Sequence, residues 1–156
     1  MVQQIIGKLR AVPEDRYAIV VSRYHEEVTR PLYQGAVETL IRHGVPEDHI
    51  VAAWVPGSYE LSVVASQMAH SKRYAAVIAL GAVVQGDTDH HDYINHAVAL
   101  GLTQAAQNSG VPVLFGVLTC RNMDQALQRA GGNMGNKGAE AALAAIETAN
   151  VLKQLA

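Results

Sequence analysis

The stretch Ala75–Tyr93, AAVIALGAVVQGDTDHHDY, decides how the rest of the chain is read. Its first part, Ala75 to Leu80, is an unbroken apolar run, as expected of a strand buried on both faces. Gly81 reads as the end of that strand. A loop with a second glycine, Gly86, follows, then Asp87, Thr88, Asp89, His90 and His91, after which the apolar spacing turns helical. A buried parallel strand running into a Gly/Thr/His loop at a helix start is where open α/β sheets bind ligands. Free backbone N–H groups there suit an anion, commonly phosphate. A histidine beside them titrates near neutral pH and can move protons.

Outward from this stretch the same alternation repeats. Arg16–Ser22 (RYAIVVS) is a compact β-branched run and the first expected strand. Arg23, Tyr24 and His25 follow at its ligand-facing end. Val28, Leu32, Val37, Leu40 and Ile41 recur near helical spacing between Glu26 and His43, and Gly44 is a natural stop. Ile50–Val55 (IVAAWV) is the second strand, broken by Pro56 and Gly57. Ser58 reads as the N-cap of a helix that runs to about Ser71, with Tyr59 and Glu60 in its first turn. A third helix, His91 to Ser109, carries Ile94, Val98, Leu102 and Ala105 on one stripe. Val111–Leu118 is the fourth strand, with Pro112 suited to its start. Thr119 to Asn122 lead into a short helix, Met123–Ala130. A Gly/Asn-rich loop, Gly131–Gly138, precedes an Ala-rich closing helix, Ala139–Leu155. This alternation predicts a parallel sheet between helices, in one domain spanning residues 1–156. Residues 1–15 show little periodicity and read as an arm that pairs with a neighbouring subunit as an extra strand.

Composition narrows the function classes. The 156 residues hold 49% hydrophobic and 17% charged side chains, as in an ordinary globular domain. Twelve Lys and Arg against 14 Asp and Glu leave a net charge of −2, which argues against a nucleic-acid footprint. The opening MVQQIIGKLR lacks a signal-peptide run, and the one cysteine, Cys120, fits a reducing cytoplasm. The longest uncharged apolar stretch, Tyr74–Val84, is too short to span a membrane. With no second domain or lid to cover a ligand at the sheet edge, another subunit is the expected cover.

Each candidate residue has two readings. His90 is either a proton-transfer group or a loop histidine that caps the next helix. Gly86, Asp87 and Thr88 bind an anion or simply turn the chain. His91, Asp92 and His96 suggest a metal site, with Asp92 and His96 at i and i+4, but no third ligand has suitable spacing. Tyr24 and Tyr59 each follow a strand end, so they either stack on a flat heterocycle or pack. Glu60 either complements the helix dipole or accepts hydrogen bonds from a polyol. Arg129 and Lys137, flanking the Gly-rich loop, form a phosphate grip or a solvated charge pair. That loop is no Walker motif, because neither Ser nor Thr follows Lys137. Cys120 reads as small-residue packing rather than a nucleophile.

Taken in order, VVSRYH (Val20–His25), WVPGSYEL (Trp54–Leu61), ALGAVVQGDTDHHDYI (Ala79–Ile94), VPVLFGVLT (Val111–Thr119) and QALQRAGGNMGNKGAEAALAAIE (Gln125–Glu147) resemble the lumazine synthase family. The resemblance covers nearly the whole chain beyond residue 16. It implies a flavodoxin-like three-layer α/β/α sandwich with a four-stranded parallel sheet, assembled into pentamers with active sites shared between adjacent subunits. The implied reaction condenses 5-amino-6-(ribitylamino)uracil with 3,4-dihydroxy-2-butanone 4-phosphate, using no metal or organic cofactor. By resemblance, Tyr24 stacks on the pyrimidine ring, Ser58, Tyr59 and Glu60 bind that substrate, and Ala82, Val83 and Val84 offer backbone contacts to the ring. Asp87 and Thr88 match the phosphate-binding pair, and His90 matches the general acid/base. Phe115 closes the ring site from the neighbour, Arg129 pairs with the phosphate, and Lys137 lies near the site. Gln85, Asp87, Gly132 and Asn133 depart from the family's usual residues and remove positive charge. An icosahedral shell of twelve pentamers, with riboflavin synthase as a partner, is compatible with the uninserted Gly131–Gly138 loop. A shell or flavin-binding relative without catalysis is expected to have lost His90 or Arg129. An unrelated phosphate-binding signalling domain is expected to carry an acidic cluster after the first strand, where Arg23-Tyr24-His25 stands.

Overall fold

The computed structural model describes residues 1–156. Its framework is β1 (Tyr17–Ser22), α1 (Glu26–Arg42), β2 (Ile50–Val55), α2 (Leu61–His70), β3 (Ala76–Val84), α3 (His90–Ser109), β4 (Val113–Cys120), α4 (Met123–Gln128) and α5 (Lys137–Leu155). The four strands form one parallel sheet in the order β2-β1-β3-β4. The order reverses at β1, so the chain grows one way through α1 and the other way after β3. The C-terminal ends of β1 and β3 therefore diverge into a crevice, the switch point of a doubly wound sheet.

The sheet is covered on both faces, which is why its central strands are apolar without alternation. Tyr17, Ile19 and Val21 of β1 and Ala76, Ile78, Leu80 and Ala82 of β3 face α1 and α5. Ala18, Val20, Val77, Ala79 and Val83 face α2 and α3. Each large side chain removed from water here contributes roughly 1.5–3 kcal/mol. On α3, Val98, Leu102 and Ala105 are buried and Ile94 packs partly against the same cluster, as the helical stripe predicts. No helix is long and apolar enough to cross a membrane.

Four expectations are corrected. Gly81 does not end β3, which continues to Val84, with Gln85 N still donating to the Cys120 carbonyl at 2.9 Å. Gly81 is there for closeness: a Cβ on it would come 2.6 Å from Ser58 Oγ. Nor does Ser58 cap α2. Ser58–Glu60 form a single 3-10 turn ahead of that helix, and the Ser58 hydroxyl is buried without a hydrogen-bond partner. The fourth strand runs two residues later than expected, Val113–Cys120, because its pairing with β3 starts from the Pro112 carbonyl, which accepts from Val77 N. The Gly-rich loop is a short hairpin, β5 (Ala130–Gly132) and β6 (Gly135–Asn136), so α4 ends early and α5 begins at Lys137.

The arm, residues 1–15, lies along α5. Asn150 Nδ2 donates to the Lys8 and Arg10 carbonyls at 2.8 and 3.0 Å, and Gln154 Nε2 donates to the Ile6 carbonyl at 2.6 Å. Lys153 pairs with Asp15. Met1, Val2, Ile5, Ile6 and Leu9 remain exposed on it.

Candidate active site

A cavity of about 550 Å³ occupies the crevice at the C-terminal ends of β1, β2 and β3. The link after β1 contributes Tyr24 and His25. Their rings lie 4.4 Å apart, tilted by 57°. His25 adopts the left-handed conformation, φ 59° and ψ 54°. A non-glycine residue held there costs on the order of 1–3 kcal/mol, and such strain clusters at functional sites. The turn turns the chain sharply into α1 and leaves the Tyr24 ring exposed beside the cavity.

The link after β2 contributes Gly57, Ser58, Tyr59 and Glu60. The missing side chain at Gly81 lets this segment approach β3 closely, which draws the Tyr59 ring and the Glu60 carboxylate to the cavity. The end of β3 supplies Ala82, Val83 and Val84 as a floor, followed by Gln85, Gly86 and Thr88. From the first turns of α3 come His90, His91 and Ile94.

Thr88 organises the start of α3. Its Oγ1 accepts from the His90 backbone N–H at 3.3 Å, and its carbonyl lies 3.2 Å from His91 Nδ1. The His90 ring is exposed and makes no hydrogen bond within the chain, so it is no helix cap; it stands at the cavity available to a ligand. Of the side chains named from the sequence, Tyr24, Ser58, Tyr59, Glu60, Ala82, Val83, Val84, Thr88 and His90 thus meet at one cavity. His25, Gln85 and His91 join them. From the sequence, His25 already stands at the ligand-facing end of the first expected strand and His91 in the candidate metal group, whereas the one advance signal of Gln85 is that it directly follows β3.

Four named residues do not line it. Asp87 is exposed in the loop between Gly86 and Thr88. Phe115 sits on β4 with its ring 41% exposed. Arg129 is the exposed residue that ends α4, where its Nη1 donates to the Gln125 carbonyl at 3.3 Å. Lys137 is half-buried and opens α5. The last two are held together, since Lys137 N donates to the Arg129 carbonyl at 2.9 Å. Asn136 caps α5 by accepting from Ala139 N at 3.1 Å, and its Nδ2 donates to the Pro31 carbonyl of α1 at 3.1 Å.

A smaller cavity of about 280 Å³ adjoins the first and shares Val83, Gln85 and His91 with it. Cys120 lines it, and burial pushes its thiol up, with the Arg129 guanidinium acting in the opposite direction. No group of three or more His, Cys, Asp or Glu side chains is close enough to hold a metal ion, and Asp92 engages His91 rather than His96.

The family model for 6,7-dimethyl-8-ribityllumazine synthase matches residues 14–153. The chain is 50% identical over 152 residues to the chloroplastic 6,7-dimethyl-8-ribityllumazine synthase of Spinacia oleracea, covering 97% of this chain and 68% of that protein. It is 48% identical, again over 152 residues, to the chloroplastic enzyme of the same name from Arabidopsis thaliana, covering 97% of this chain and 67% of that protein. The fold, the cavity at its switch point and these similarities agree: the chain belongs to the 6,7-dimethyl-8-ribityllumazine synthase family.

Proposed function

We propose that the protein condenses 5-amino-6-(D-ribitylamino)uracil with 3,4-dihydroxy-2-butanone 4-phosphate to give 6,7-dimethyl-8-ribityllumazine, the penultimate step of riboflavin biosynthesis. The observation that carries the reading is the single cavity at which Tyr24, Tyr59, Glu60, Thr88 and His90 meet in a chain of this family.

The chemistry asks for these residue types. The amine attacks the ketone carbon, and the resulting carbinolamine loses water to form an imine. Phosphate leaves by elimination, and ring closure expels a second water. His90 carries protons to the departing oxygen and away from carbon in turn, a task suited to an imidazole. Tyr24 stacks on the pyrimidine ring, with Tyr59 at its edge, and Glu60 accepts from the ribityl hydroxyls. Backbone groups of Ala82 to Val84 hold the ring edge. The Gly86–Thr88 backbone N–H groups and the Thr88 hydroxyl bind the phosphate, and Asp87 takes part through its N–H with its carboxylate turned outward. Much of the acceleration comes from holding two reactants in contact, since the amine is already a competent nucleophile.

Arg129, Lys137 and Phe115 enter this scheme from an adjoining protomer. Supporting that assembly is the ordered but outward placement of the exposed Phe115 ring and Arg129 guanidinium. A closed pentamer with sites between neighbours, acting in a reducing cytoplasm, is the arrangement we favour. Native mass measurement distinguishes it from a shell of twelve pentamers.

The direct test mixes the purified protein with both substrates and follows lumazine absorbance and phosphate release. Turnover without added metal is expected. Binding of the lumazine with no turnover overturns the reading in favour of a non-catalytic carrier.

A further inference from the structure

Phosphate recognition in this chain has an electrostatic difficulty. No lysine or arginine occurs between Arg73 and Arg121, and the loop that would hold the anion is flanked by Asp87, Asp89 and Asp92. Three like charges beside a dianion oppose its binding. What the segment does contain is His91. Unlike its exposed neighbours His90 and Asp92, His91 is turned inward, with its side chain only 17% exposed. It lines both of the adjoining cavities.

The partners of that ring are informative. Nδ1 lies 3.2 Å from the Thr88 carbonyl, and Nε2 lies 3.2 Å from Asp92 Oδ1. Both neighbours are acceptors. A neutral imidazole has one N–H and one lone pair, so it satisfies one of them and repels the other. A doubly protonated ring hydrogen-bonds the Thr88 carbonyl and forms an ion pair with the Asp92 carboxylate. In that form it also neutralises the nearest carboxylate and ties down the carbonyl of the residue whose hydroxyl and N–H face the anion.

We propose that His91 is a positioning residue for the phosphate-bearing substrate. As an imidazolium clamped between the Thr88 carbonyl and the Asp92 carboxylate, it fixes the Gly86–Thr88 loop. It also supplies the positive charge that this stretch of the chain otherwise lacks. The inference deepens the functional reading above and rests on it for the identity of the substrate, though not for the binding of an anion.

The test compares the unmodified protein with His91→Phe and His91→Gln. Phenylalanine keeps a flat ring and loses the hydrogen bond to Thr88 and the ion pair with Asp92. Glutamine keeps one N–H for Thr88 and loses the charge. Calorimetric titration with inorganic phosphate should show Kd raised about tenfold in His91→Phe and about fivefold in His91→Gln, the sizes expected for a screened charge with and without one hydrogen bond. KM for the butanone phosphate should rise by the same factors, while kcat and KM for the ribitylaminouracil stay within about twofold, the pattern of lost binding to one substrate. An unchanged phosphate Kd in both variants overturns the inference, as does an unmodified protein that binds no phosphate. A parallel loss in every constant, marking general collapse of the site, overturns it too. His91-dependent phosphate binding without lumazine formation upholds the inference while sinking the proposed reaction. Lumazine formation with His91-independent phosphate binding does the reverse.

Discussion

The links that follow β1, β2 and β3 and the segment that follows β4 are equally rich in candidate ligand groups, yet the first three converge on the larger cavity, while the last contributes Arg121 and Gln125 to the smaller one beside it. Parallel register explains the convergence. Ser22 pairs with Val55 and Val21 with Leu80, so the links leave the sheet on the same side, with β3 and its partner β4 running on past the other two strands to Val84 and Cys120. The post-β4 segment is just as ordered, with Asn122 accepting from Gln125 N, Asn136 capping α5 and Lys137 tied to Arg129. Its order leads Arg129 outward. The contrast teaches that two sets of ligand groups, level with one another in the sequence, are placed differently by the fold: one half lines the larger cavity, and in the other Arg129 faces solvent.

The contrast breaks most visibly at Arg129. Arg129→Ala should lower kcat by about 10³-fold, the loss typical of a removed transition-state charge partner, with secondary structure unchanged by circular dichroism. If the outward half serves a second chain, co-refolding equal amounts of Arg129→Ala and His90→Ala chains should restore roughly a quarter of full activity, because random pairing rebuilds that share of intact shared sites. Activity no higher than the average of the two separate variants would place both halves in one chain.

His90→Ala alone should slow turnover by about 10²-fold without abolishing it, since proximity survives the loss of a proton carrier. Gly81→Ala disturbs the inward half only. Its Cβ would meet Ser58 Oγ at 2.6 Å, so stability should fall by about 1–3 kcal/mol, as for an overpacked core position. Adding Ser58→Ala should recover much of that loss in chemical denaturation.

The smallest effect lies at the opposite end of the sheet, remote from both halves. The Tyr17 hydroxyl is fully buried without a partner, and its ionisation is pushed far above the usual tyrosine range, first by burial and then by Asp15. The unfolded chain ionises at the ordinary value of 10.0, below the folded one. The ionisation of Tyr17 therefore has no effect on stability at lower pH, and stability falls as pH rises past that value. Tyr17→Phe should leave thermal stability at pH 7 within about 1 kcal/mol, removing an unsatisfied hydroxyl, and should flatten the alkaline decline. Activity should be unaffected.

Much of the site was legible because strand ends in a parallel sheet are marked by where apolar runs stop. Tyr24, Tyr59, Glu60, Thr88 and His90 all follow such stops. Gly81 misled, since a glycine that terminates a strand and one that admits a neighbouring segment look the same until that segment is seen. Ser58 misled for the same reason, as its burial against Gly81 competes with capping. His91 reads from the sequence only as a neighbour of the i,i+4 pair Asp92 and His96, whereas in the fold its ring neighbours are Thr88 and Asp92.

The order of residues alone is enough to give the alternation of strands and helices and the apolar stretches that bury both sheet faces. These are local periodicities, set by which side chains avoid water at each repeat. Tertiary structure alone decided the strand order, the left-handed turn at His25, the inward rotation of His91 and the separation of Arg129 from the cavity. Those depend on contacts between residues far apart in the chain, whose packing and hydrogen-bond geometry no local pattern encodes.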